Sequence, residues 1–94
     1  MKRKVRYDEK GRYGYVIYSD QHGSINFYYE FGGGHCVAIL SLPTPVNWEK
    51  ETGRPLEQRE EILNFIGTKV VQDQAPGGTY SVSDQFLEIY SGKA

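Results

Sequence analysis

Apolar and polar residues alternate through most of the first half of the chain, and a period of two marks strands with one buried and one wet face. Ser24–Phe31, SINFYYEF, shows it most plainly. Ile25, Phe27, Tyr29 and Phe31 share one face, and Asn26, Tyr28 and Glu30 the other. Before it, Val5–Glu9 reads as a short charged strand and Tyr13–Ser19, YGYVIYS, as a second strand rich in β-formers. Turn signals at Gly11 and at Asp20–Gly23 separate the three. Cys36–Leu42, CVAILSL, is almost wholly apolar, which predicts a well-covered central strand. Pro43 and Pro45 end it.

The period then changes. A long connection, PTPVNWEKETGRP, carries Trp48 and leaves room for one short helical turn. Pro55 suits the first position of a helix. From there Leu56, Arg59, Ile62, Leu63, Ile66 and Val70 recur at helical spacing, with Glu57, Glu60 and Glu61 where the helix dipole favours acids. Gly67 costs about 1 kcal/mol against Ala in such a position, and close approach to the sheet would explain it. The helix should fray near 72–74 and stop at Pro76, Gly77 and Gly78. Thr79–Ser83 and Phe86–Ser91 predict a hairpin turning at Asp84 and Gln85, with Tyr80, Val82, Leu87 and Ile89 inward. The expected fold is α+β: an antiparallel β-meander of four strands, one amphipathic helix packed on a sheet face, then a C-terminal β-hairpin, in the order ββββαββ. The 94 residues make one domain, 1–94, with 1–4 as a flexible basic N-terminus.

Composition narrows the function classes. Eight Tyr, four Phe and one Trp give a real core and point to strand. One cysteine excludes a disulfide framework within the chain. The charged start is unlike a signal peptide, and no run approaches the roughly 18 apolar residues of a membrane span, so a cytoplasmic location and no membrane partner are expected. The net charge of −1 hides an asymmetry. The first twelve residues hold six basic against two acidic side chains, a net of +4 that leaves −5 on the remainder. Such an arm could meet an anion, or be an edge strand that its lysines guard against aggregation.

The chemistry-bearing stretch is EFGGGHCVAIL. A phosphate loop needs its glycines to run into a helix N-terminus, and here they run into a strand, without a P-loop lysine. The segment reads as a four-residue hairpin loop. His35 and Cys36 would point apart along a strand, and Cys36, alternating with Ala38 and Leu40, fits a core cysteine rather than a nucleophile. His22 and His35 lie at opposite ends of an eight-residue strand, roughly 25 Å apart, so they cannot share a metal. No cofactor, metal or catalytic residue is expected.

Two regions remain as candidate binding sites. One is a tyrosine-bearing sheet face opposite the helix, assigned Tyr18 and Tyr28 with Tyr90 as a further member. The other is the loop end that joins Asp20, His22 and Trp48. The expectation is a non-enzymatic binding module that uses the aromatic face or a strand edge, with a protein partner or self-association as a homodimer. A small-ligand or enzyme site at the Asp20–His22–Trp48 end is the alternative. A single-stranded nucleic-acid binder that uses the tyrosines and the basic arm is the second alternative, disfavoured by a pI near 6.1.

Overall fold

The computed structural model describes residues 2–92. Six strands form one antiparallel sheet in the order β1-β2-β3-β4-β6-β5. They are β1 (Lys4–Glu9), β2 (Tyr13–Asp20), β3 (Gly23–Phe31), β4 (Cys36–Ser41), β5 (Thr79–Val82) and β6 (Phe86–Tyr90). The α+β architecture, the four-strand meander and the C-terminal hairpin match the pattern in the sequence. The hairpin joins the meander through β6, which lies beside β4 with Leu40 opposite Leu87 and Ile39 opposite Glu88. Lys4 belongs to β1 and Arg3 bonds Glu61, and Met1 lies outside the described residues.

Between β4 and β5 the chain makes a 3₁₀ turn (Pro45–Asn47), α1 (Trp48–Thr52), a second 3₁₀ turn (Leu56–Gln58) and α2 (Arg59–Gln74). Gly53 closes α1 with φ of 74°, a left-handed position that glycine takes without steric cost. Pro55 precedes the second 3₁₀ turn and does not open α2, and Leu56 is left 45% exposed, off the apolar stripe. Ile62, Leu63, Ile66 and Val70 are buried as the spacing predicted, and α2 stays helical through Gln74.

Helix α2 meets both edges of the sheet. Asp73 accepts the Tyr7 hydroxyl at 2.8 Å beside β1, and Gly67 lies under the Tyr80 ring of β5. The sheet therefore curls around the helix, and the helix closes the seam between the two edge strands. Val16, Tyr18, Phe27, Leu40, Leu87 and Ile89 fill the concave side together with Trp48 and the helix stripe. The opposite face is convex and has no covering element among the described residues.

Candidate functional site

At the Asp20 end, the sequence brings three candidate residues together and the fold commits two of them to structure. Asp20 sits at the end of β2 and takes both arms of the Arg54 guanidinium, at 2.8 and 2.9 Å, with both side chains more than nine-tenths buried. Its oxygens also accept the Tyr18 hydroxyl at 3.0 Å and the His22 backbone N–H at 2.8 Å. The Arg54 hydrogen bonds, then those of His22 and Tyr18, hold the Asp20 carboxyl well below the usual carboxylate range against the opposing effect of burial. A carboxylate with this many donors is saturated. Trp48 is fully buried, stacked on Phe27 at 6.4 Å between ring centres, and its Nε1–H donates to the Pro55 carbonyl at 3.1 Å. It is a core plug and offers nothing to solvent. His22 is exposed in the turn, its ring 3.2 Å from the Gln21 side-chain nitrogen.

Tyr18 corrects the reading of the aromatic face. Its partner across β1 is Val5, whereas Ile17 lies opposite Arg6. That parity places Tyr18 on the helix side, edge-on to Phe65 at 5.9 Å and with no exposed surface. Burial, with help from Asp20, pushes its phenol up to about 12. The outward residues of β2 are Tyr13, Tyr15 and Ile17. An alternating strand with tyrosines on both sides does not say which set faces the core until its partner register is known.

The glycine hairpin is a turn, as expected. It spans Gly32–His35, and Gly34 supplies the one positive φ, 60°. A Cβ on Gly32 would stand 2.4 Å from the Cys36 carbonyl oxygen, so only glycine fits there. Cys36 departs from its expected place. The ladder is irregular between Cys36 and Ala38, which pair with Tyr90 and Ile89. This bulge breaks the alternation and sets Cys36 beside outward-facing Tyr90, half-buried, with its thiol donating weakly to the Ala38 carbonyl at 3.6 Å. Burial, then the Glu88 charge, pushes the thiol pKa up, which disfavours a nucleophile.

The convex face gathers what remains of the candidates. Tyr28 is on it, with its ring 5.8 Å from Tyr13 and 5.9 Å from Tyr15. Ile39 lies in one row with Glu30 on β3 and Glu88 on β6. Phe86, 41% exposed, and Tyr90 extend the row above and below Glu88. Tyr28 donates to Glu30 at 2.8 Å and Tyr90 to Glu88 at 3.1 Å, and each bond raises its phenol pKa. An open cleft of about 560 Å³ runs between Arg12, Tyr13, Tyr28, Glu30 and Phe31, and another of about 260 Å³ between Glu30, Ile39, Phe86 and Glu88. Sequence reading missed Tyr13, Tyr15, Ile39 and Phe86. For Ile39 and Phe86 the signal is their place one position from Leu40 and Leu87, which were already placed inward, so alternation turns them outward.

The basic arm is partly engaged. Arg3 pairs with Glu61 and lies over Phe65, and Lys10 is 3.4 Å from Asp8. Between sheet and helix, a pocket of about 30 Å³ beside Tyr7, Val37 and Val70 holds no more than a water-sized group, too little for an organic ligand. Among the described residues no group of three His, Cys, Asp or Glu could hold a metal ion, and no helix is long and apolar enough to cross a membrane. No protein-family model, curated protein or solved structure matches the chain.

Proposed function

We propose that this protein is a non-enzymatic interaction module whose contact surface is the convex sheet face around Tyr13, Tyr15 and Tyr28. The observation that carries the reading is an uncovered face of a six-stranded sheet that holds neighbouring tyrosine rings where an antiparallel sheet needs only polar residues. Tyrosine is enriched where proteins touch, because it offers a large rigid surface with a polar tip. Nucleic acid fits the β3–β4–β6 half of this face less well, since phosphates there would have to lie against Glu30 and Glu88.

Site-specific photo-crosslinking tests it. A benzoylphenylalanine at position 28 should give a discrete polypeptide adduct in cells, and one at Thr68 on the exposed side of α2 should not. An adduct of twice the 10.7 kDa chain identifies self-association, and any other single mass identifies a partner. Equal adducts at both positions, or none at position 28, would remove the face from consideration.

A further inference from the structure

We infer that the convex face takes a cationic polypeptide segment, one arginine or lysine side chain seated at the Tyr28–Glu30 pair and a second at the Tyr90–Glu88 pair. This rests on the reading of that face as the contact surface. The two pairs are built alike. In each, a tyrosine hydroxyl donates to a glutamate two residues away on the same strand, at 2.8 Å in one and 3.1 Å in the other. Each carboxylate is thus held beside an aromatic ring. Neither has a cation within ion-pairing distance among the described residues. A carboxylate next to a ring offers a guanidinium or ammonium both a salt bridge and a ring face. The charge on the face is divided: Lys4 and Arg6 stand outward on β1, whereas Glu30 and Glu88 flank Ile39 on the β3–β4–β6 half, so a cation finds carboxylates only on that half.

The register sets the spacing. Glu30 and Glu88 both lie opposite Ile39, one on each side of β4. Their backbones are therefore two strand spacings apart, about 10 Å. A polyproline II segment presents every third side chain on one face at about 9 Å. Basic residues at positions i and i+3 of such a segment would straddle Ile39, laid across the strands. Arg12 stands at the rim of the cleft that holds Glu30, so it opposes a cation at the first pair.

The test is an NMR titration of the ¹⁵N-labelled full chain with the peptide Ac-PPRPPRPP-NH2. Saturable shifts at Tyr13, Tyr28, Ile39 and Glu88 are expected. Glu30→Gln and Glu88→Gln should each weaken binding at least fivefold, Arg12→Gln should tighten it, and added salt should loosen it. The spectra themselves report that each variant folds. The inference is overturned if Ac-PPQPPQPP-NH2 binds as well as the arginine peptide, if neither binds at millimolar concentration, or if a dT12 oligonucleotide binds the same face more tightly. Self-association that persists in Glu30→Gln/Glu88→Gln and excludes the peptide also overturns it. Should the peptide fail while position 28 still crosslinks, the cation is wrong and the face stands.

Discussion

Arg54 grips Asp20 with two parallel hydrogen bonds of 2.8 and 2.9 Å and uses Nη2 again on the Gly23 carbonyl at 3.1 Å. The guanidinium is also 5.9 Å from the centre of the Tyr18 ring. One side chain from the connection before α2 therefore fixes the β2–β3 turn. Removal of Arg54 leaves a buried carboxylate, and Arg54→Ala is expected to cost about 3–5 kcal/mol in urea unfolding. A loss below 1 kcal/mol would show that water replaces the guanidinium.

The same pair sets an acid limit. The pKa of Asp20 is depressed in the fold, so its contribution is complete above the ordinary aspartate value of 3.8 and is lost as pH falls through the folded value. Between pH 4 and pH 2 the wild type should lose more unfolding free energy than Asp20→Asn, which has nothing to protonate there. Parallel pH curves for the two proteins would contradict this.

Gly67 is where helix and edge strand touch. A methyl group there would lie 2.5 Å from the Tyr80 ring. Gly67→Ala gains helix propensity yet should destabilise by about 1–3 kcal/mol through overpacking. The loss should shrink when Tyr80→Ala is added. If the two substitutions are additive, the close approach is not the cause.

Ile66 is fully buried in the helix stripe, and Ile66→Ala should cost about 2–5 kcal/mol. Denaturation followed by fluorescence reads this directly, because Trp48 is the sole tryptophan and has no exposed surface. Native emission should resist quenching by iodide and become quenchable as the protein unfolds. A native signal that iodide quenches freely would place Trp48 at the surface.

Cys36 should react slowly. Its thiol pKa is raised, so at pH 7.5 alkylation of the native protein should trail that of the urea-unfolded chain. Cys36→Ser should leave the photo-crosslink at position 28 intact. Loss of the crosslink in a folded variant would tie the thiol to the contact surface.

These tests fall on features that were unequally legible. Period and punctuation placed all six strands and the helix stripe, because Ile25, Phe27 and Tyr29 or Ile62, Ile66 and Val70 repeat with the geometry of their element. Tyr18 was misread because YGYVIYS carries large residues on both faces, and only pairing with Val5 decides between them. Cys36 was misread because a bulge adds a residue to one strand without a local signature. Arg54 was invisible because its partner is 34 positions away, and nothing in TGRP announces a buried cation. Asp20 attracted attention for a sound reason, since it does sit among convergent donors, but the fold consumes them all.

The strand order has a consequence for assembly. The first four strands are sequential neighbours and can zip hairpin by hairpin, with little chain entropy lost at each closure. The β4–β6 pairing closes a far longer loop, since Ser41 and Phe86 are separated by the whole helical connection and β5. Hydrogen exchange should then divide the protein into two cooperative units, with β2 and β3 amides the last to open and those of β5 released together with β6. On that division the cleft at Glu30 falls in the early unit and Glu88 in the late one, and the two halves of the convex face should form at different times.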